Sequence, residues 1–523
     1  VSQPFYITTP IYYVTDAPHI GHLYTTLAAD IMARYQRLLG NSVWFLTGTD
    51  EHGQKIEKKA KETGETPQAL ADRVVERYRK AWETYGVQYD DFIRTSEPRH
   101  KKVVQEYLQR LMKSGDVYLS EYEGWYCVPD EAFWTETQVV DGKCPDCGRP
   151  VERLKEESYF FRMSAYVEKL REHIKRNPGF IEPESRKNEV LGFLDQGVRD
   201  ISISRTTIRW GIDMPADPKA TKSHKVYVWF DALTNYISAL GPLDGDPQYE
   251  RFWPQAIHLV GKDILRFHAV YWPTFLLALG LPLPKKIFAH GWLTDAQRKI
   301  SKSLGNAIDP IALAGEVGVD GMRYFLFREF VFGLDGEYTK EVMYRRINSD
   351  LANDYGNCVN RLGAMILKYL GDGALDLADS LAKDSELKKT VAEAVPAYHA
   401  ELSGFTYHRA LEQNWRIISA VNRYIESNAP WALAKSSQPA DRDKLRDVLL
   451  HCHESLRVAS LLAYPFLPGT AGKALDSLGD TQSLSGKSPL KQVGWGSGPR
   501  RVTVRKAPPL FMRLELKPAG EGT

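Results

Sequence analysis

Two short stretches of this chain carry residues suited to handling a polyphosphate. His19-Ile20-Gly21-His22 falls where an apolar run gives way to helical spacing, so it marks a strand-to-helix turn. Amides at a helix N-terminus favour anions, a glycine lets a ligand approach the backbone, and imidazoles can donate to phosphate oxygens. Lys299-Ile300-Ser301-Lys302-Ser303, followed by Leu304-Gly305-Asn306, forms a basic loop after another apolar run. Two lysines three residues apart can face one polyphosphate and stabilise charge that builds up on a departing pyrophosphate. Taken singly, each has a plain alternative, a polar surface turn or a solvated basic loop. Together they are more specific, because both stand at strand ends, in order, 280 residues apart (299 minus 19).

A third group is Cys127-Val128-Pro129-Asp130 with Cys144-Pro145-Asp146-Cys147-Gly148. A Cys-Pro-x-Cys-Gly turn presents two thiolates on one side, as structural zinc requires. Asp130 would complete the set of Cys127, Cys144 and Cys147 as an oxygen ligand; the alternative is a loop held by packing alone. A fourth group is Asn357 and Arg361, at i, i+4 on one helix face, with Trp431 after Pro430 at another helix start. An amide and a guanidinium can meet base edges while an indole stacks an unpaired base; helix packing and ordinary surface are the alternative.

The elements that must position these groups follow from periodicity. Phe5 to Val14 reads as a buried strand, Leu23 to Leu38 as a helix ending at Gly40, and Val43 to Leu46 as the start of a second strand, making a β-α-β unit. In such parallel sheets ligands bind beyond the carboxyl ends of the strands. Parallel-strand grammar breaks from about Tyr118 to Lys225 and resumes at Val226 to Phe230, with further strands at Ile257 to Val260 and Lys286 to Ala289. Helical periodicity dominates from Asn348 to Leu462, and Pro and Gly cluster again from Gly494. The expected architecture is an α/β Rossmann-like parallel-sheet catalytic domain with an inserted connective domain carrying a zinc-knuckle-like segment, followed by an α-helical bundle. Its expected segments are 1–117 and 226–335 for the two halves of the sheet domain, 118–225 for the insertion, 336–347 for a linker, 348–493 for the bundle and 494–523 for an extended tail.

Composition narrows the class. With 523 residues, 43% of them hydrophobic, the chain can bury several cores, which excludes a small binding module. Its most apolar window, Ala269 to Pro284, is broken by Pro273, Gly280 and Pro282 and falls short of the ~20 residues of a membrane helix. Nothing at the N-terminus reads as a secretion signal, and five clustered or isolated cysteines suggest a reducing compartment, so a cytoplasmic location is expected. A net charge of +2 supplies no global attraction for a polyanion, so any nucleic-acid contact must be local.

The two loops, read with Thr8-Thr9-Pro10-Ile11-Tyr12-Tyr13, Gly48-Thr49-Asp50-Glu51-His52-Gly53, Tyr227-Val228-Trp229-Phe230-Asp231-Ala232-Leu233 and Gly261-Lys262-Asp263-Ile264, resemble the class I aminoacyl-tRNA synthetases, and within them the methionyl-tRNA synthetase family, from Phe5 to about Trp431. The resemblance implies a methionine pocket of Ile11, Tyr12, Trp229, Ala232, Leu233, Tyr236, Ile264 and His268, with Asp50 on the α-ammonium group. Such walls suit a thioether, which is polarisable and favours aromatic rings. It implies ATP, with Mg2+, held by His19, Gly21, His22, Gly261, Asp263, Lys299, Ser301 and Lys302; of these His19, His22, Lys299 and Lys302 would serve the reaction itself. It further implies reading of the CAU anticodon by Asn357, Arg361 and Trp431, and initiator and elongator tRNA(Met) as partners. In zinc-bearing relatives a second sulfur stands where this chain has Asp130. Ile300 and the Asp295-Ala296-Gln297-Arg298 stretch depart from the usual lysine loop, which often has a methionine and a nearby glycine there. The interval between the loops leaves little room for the editing insertion of the valine, leucine and isoleucine enzymes, and a small-molecule nucleotidyltransferase would leave the helical half unexplained. A monomer is expected, since some longer relatives add a C-terminal dimerising domain.

Overall fold

The computed structural model describes residues 2–128, 132–134, 136, 138–139, 141–145, 147–241, 246–295, 298–300, 307–506 and 508–515. Asp130, Ser301 and Lys302, and the side chain of Lys299, lie outside what is described.

Six neighbouring parallel positions build the central sheet, in the order Asp91–Arg94, Ser42–Asp50, Pro4–Thr8, Ala256–Gly261, Lys286–His290 and Ile181–Glu182. The expected strand from Phe5 to Val14 is interrupted: Pro4–Thr8 and Tyr12–Tyr13 both pair with Ser42–Asp50, but three residues lie between Thr8 and Tyr12 while two lie between their partners Leu46 and Thr49. The extra residue falls at Thr9-Pro10-Ile11, where Pro10 has no N–H for the ladder. Alternate side chains serve opposite faces, as a pleated strand requires. Ile7, Ile257, Leu259 and Phe288 join a core shared with helix Ile20–Leu38 and the helical half, whereas Tyr6, Leu46, Val260 and Ile287 join a second core on the other face.

The 118–225 stretch contributes an antiparallel sheet, Val117–Cys127 with Glu152–Phe161 at its centre, and also the edge strand Ile181–Glu182 of the parallel sheet itself. One element differs in type from its reading in the sequence. Val226 to Phe230 is not a parallel strand: Lys225–Val226 pairs antiparallel with Ser204–Arg205, and Val228–Ser238 is a helix. Every residue of that helix except Trp229 is buried, so its short apolar run shows no polar face to reveal the helical period.

From Asn357 to Ser477 the chain is mostly helical, led by Glu386–Ser403, Tyr407–Asn428 and Pro439–Ala463, with the short strand Ala374–Asp376 between helices. The tail is tied down: Arg501–Thr503 pairs with Ala374–Asp376, and Leu514 and Asn348 exchange two hydrogen bonds of 2.8 Å. Arg500 and Arg501, half of the four basic residues Arg500, Arg501, Arg505 and Lys506 in this tail, both lie against Asp376. A buried guanidinium, Arg323, joins the halves by donating to Asp30 of the first helix at 2.6 Å and to the Phe466 carbonyl at 2.8 Å. No helix among the described residues is long and apolar enough to cross a membrane.

Candidate active site

Strands Pro4–Thr8, Ser42–Asp50, Ala256–Gly261 and Lys286–His290 end at one cleft of 1640 Å³. The first strand has a neighbour on either side that enters from opposite parts of the chain, which makes this the switch point where such sheets bind ligands. His19, Gly21, His22, Asp50, Gly261 and Asp263 line the cleft, as do all eight residues assigned to the amino-acid pocket.

The histidine turn is organised by its own hydrogen bonds. His19 is the N-cap of helix Ile20–Leu38: its Nδ1 accepts from the Gly21 N–H at 3.0 Å, while the His19 N–H donates to His22 Nδ1 at 3.2 Å. With both Nδ1 atoms accepting, each ring carries its proton on Nε2. The rings stack 3.8 Å apart. A Cβ on residue 21 would lie 2.8 Å from His19 Cε1, so glycine is needed for the histidine to fold over the turn.

The described residues on either side of the lysine loop meet the same cleft and turn. Ile300 lines the cleft and its N–H donates to Leu293 at 3.0 Å, and beyond the loop the Ile308 carbonyl accepts from the Ile20 N–H at 3.1 Å. The segment from 301 to 306 is thus bracketed by residues at the cleft and at the histidine turn. Asp263 folds over Gly261, where a Cβ would meet its Oδ1 at 2.5 Å, and accepts from Trp292 Nε1 at 3.1 Å.

On the apolar side, Tyr12 donates to or accepts from Thr26 Oγ1 at 2.8 Å, and Trp229 stacks on Phe267 with ring centroids 3.7 Å apart. His268 Nδ1 lies 2.9 Å from the Ile264 carbonyl and so carries the proton; Nε2 then accepts from the Tyr236 hydroxyl at 2.7 Å. Burial pushes this imidazole down to about 4, so it is neutral at ordinary pH. Sequence reasoning missed Phe267, His290 and Trp292, all in the cleft. Their signal was position alone, since each adjoins a residue already singled out or a strand's end.

Two further clusters assemble, one of cysteines at the rim of the same cleft, which Cys147 also lines, and one in the helical half. Cys127, Cys144 and Cys147 place their Sγ atoms within 4.8 Å of one another, with Cys127 and Cys147 3.6 Å apart. Four thiolates around a tetrahedral zinc at ~2.3 Å would be about 3.8 Å apart, so these three fit such an ion. Gly148, in the left-handed region, closes the turn by donating to the Cys144 carbonyl at 2.8 Å. In the helical half, the Arg361 guanidinium lies 5.9 Å from the Trp431 ring centroid and pairs with Glu426, while Asn357 is exposed one turn away on the same helix. Trp431 is 40% exposed, an unusual position for the largest apolar side chain.

This arrangement matches known proteins throughout. The family profile described as tRNA synthetases class I (M) covers residues 5–153 and 149–363, and that described as the anticodon binding domain of methionyl tRNA ligase covers 377–492. The chain is 48% identical over 519 residues to methionine-tRNA ligase of Caldanaerobacter subterraneus, spanning 99% of this chain and 80% of that one. Its identity to methionine-tRNA ligase of Bacillus subtilis is also 48%, over 532 residues, 99% of this chain and 79% of the relative. Among solved structures, Mycobacterium tuberculosis methionyl-tRNA synthetase in complex with methionyl-adenylate superposes with a TM-score of 0.91 at 42% identity, covering 98% of this chain and all of that one. The free form of the same enzyme gives 0.84 at 39% identity, covering 99% of each. With both halves matched in order and in three dimensions, the chain belongs to the methionyl-tRNA synthetase family of class I aminoacyl-tRNA synthetases.

Proposed function

We propose that the cleft joins L-methionine to ATP, releasing pyrophosphate, and then passes the methionyl group from the adenylate to the 3' terminal adenosine of tRNA(Met), initiator and elongator alike. The observation that carries this reading is one cleft lined at once by the paired Nε2–H donors of His19 and His22, by the buried Asp50 carboxylate and by an apolar wall of Tyr12, Trp229 and Leu233. No covalent enzyme intermediate is required. A substrate carboxylate oxygen attacks the α-phosphorus, the bond to the β-phosphate oxygen breaks, and pyrophosphate leaves with that electron pair.

Asp50 pairs with the α-ammonium group and thereby aims the carboxylate, and the thioether lies among the aromatic rings. The neutral His268 and Tyr236 offer polar edges within that wall without burying a charge. His19 and His22 donate to the phosphates, Gly261 and Asp263 hold the ribose, and Lys299, Ser301 and Lys302 stabilise the charge on the leaving pyrophosphate, which Mg2+ would share. Cys127, Cys144 and Cys147, with Asp130, would hold Zn2+ in a structural role. Asn357, Arg361 and Trp431 read the CAU anticodon, the indole stacking on a base and the polar groups meeting base edges. The chain works as a monomer in the cytoplasm.

The decisive measurement is amino-acid-dependent exchange of labelled pyrophosphate into ATP across all twenty amino acids. Exchange with methionine alone is expected; exchange driven by another amino acid, or by none, would end the reading.

A further inference from the structure

His52 and Asp231 stand in two of the sequence blocks shared with the family, and neither reaches the cleft. They meet each other instead. Asp231 Oδ2 lies 2.7 Å from His52 Nδ1, and Oδ1 lies 2.7 Å from Nε2 of His100, whose Nδ1 is 2.8 Å from Ser238 Oγ. All four side chains are buried. An isolated buried carboxylate is costly, yet here each oxygen has an imidazole partner. Burial pushes the carboxyl up, but the two histidines outweigh it and hold it at about 2, so it stays ionised.

The elements so joined are those that bound the amino-acid pocket. His52 follows Asp50 by two residues at the end of strand Ser42–Asp50; Asp231 sits on helix Val228–Ser238 between Trp229 and Ala232, with Leu233 and Tyr236 beyond; His100 belongs to helix Pro98–Ser114. A sheet ladder fixes the register of strand against strand, but a helix has no such ladder. Its offset from the strand must be set by side chains.

We propose that the His52–Asp231–His100 clamp is a specificity-determining positioning network, which fixes the distance from Asp50 to the apolar wall of the 228–238 helix and with it the length of side chain the pocket admits. This rests on the reading of Asp50 as the ammonium partner. A pocket wall alone discriminates one methylene by only ~10- to 200-fold, so a shift of its backbone would be read directly as lost selectivity. Because the clamp's hydrogen bonds reach no nucleotide-facing residue among the described residues, its loss alters amino-acid binding and not ATP binding.

The test uses the full chain in pyrophosphate exchange, with methionine, its one-carbon-longer analogue ethionine and ATP as varied substrates. Asp231→Asn, His52→Ala and His100→Ala should each raise KM for methionine about tenfold, as expected of a misplaced pocket, and reduce the preference for methionine over ethionine, with KM for ATP within about twofold of the parent. His52→Asn and His100→Gln put an amide nitrogen near the lost ring donor and should recover most of the methionine KM. Ser238→Ala, which removes only the outermost link, should shift the same ratio in the same direction by a smaller factor even where Asp231→Asn fails to fold. Parallel rises in both KM values, an unchanged ethionine preference, or amide variants no better than alanine would overturn the clamp. A normal methionine KM in Asp50→Ala would overturn the reading beneath it as well, whereas loss of exchange there, with clamp variants like the parent, would overturn the clamp alone.

Discussion

The Ile20 N–H donates to the Ile308 carbonyl at 3.1 Å, so the histidine turn is bonded to the segment that follows the lysine loop. Residues nearly 300 positions apart thereby share one end of one helix. Ile300 lines the cleft and Ile308 bonds the helix N-terminus, so both described flanks of the lysine loop lie at the histidine turn and its cleft.

Removal of the second lysine of that loop should therefore act on the chemical step. Lys302→Ala is expected to lower kcat for pyrophosphate exchange by about 100- to 1,000-fold, the usual loss for one donor aimed at developing charge, with KM for methionine changed little. Steady-state exchange at varied methionine and ATP measures this; a normal kcat would exclude the lysine from the reaction.

Trp431 is remote from the cleft and partly exposed, so its loss should spare both stability and adenylate formation. Trp431→Ala is expected to cut tRNA charging by at least about tenfold, as removal of a stacked base platform does, while exchange stays within about twofold. Equal losses in both assays would remove Trp431 from anticodon recognition.

Stability should depend on pH through His268. Burial holds this imidazole at about 4, whereas in the unfolded chain it titrates near 6.5. Between those values the unfolded state binds a proton that the folded state does not, so stability is full above about 6.5 and falls as the pH drops toward 4, by about 3 kcal/mol. Buried His258 is pushed down in the same direction and adds to the slope. Urea midpoints at pH 7.5 and 4.5 should differ less in His268→Gln than in the parent; an equal difference would show that His268 does not carry this share.

The cysteine cluster predicts a measurable metal content. Elemental analysis of the purified chain should find about one zinc, and Cys147→Ser should lose most of it, since a three-thiolate set reduced to two binds zinc poorly. The same variant is expected to keep methionine-dependent exchange while melting at lower temperature. Zinc-free parent protein would leave the loop to packing by Trp134 and Val151.

Chain order alone carried the strand-helix-strand start, the strands at 257–260 and 286–289, the helical half and those cleft residues that stand in motifs, such as His19, His22, Asp50 and Trp229, because each has a local signature in period, turn chemistry or motif. Val226 to Phe230 reads as a strand although helix Val228–Ser238 begins within it, since an element buried on nearly all sides has no polar face to show its period. Phe267, His290 and Trp292 were overlooked because their types are ordinary core types until a neighbouring strand's end puts them beside the site. Only the folded chain decided that Ile20 meets Ile308, that Asp231 lies between two histidines from different elements, and that Arg323 bridges the first helix to the helical half. Those contacts join positions about 130 to 290 residues apart, and a pairing over that distance depends on how whole elements pack, which no local pattern of residues records.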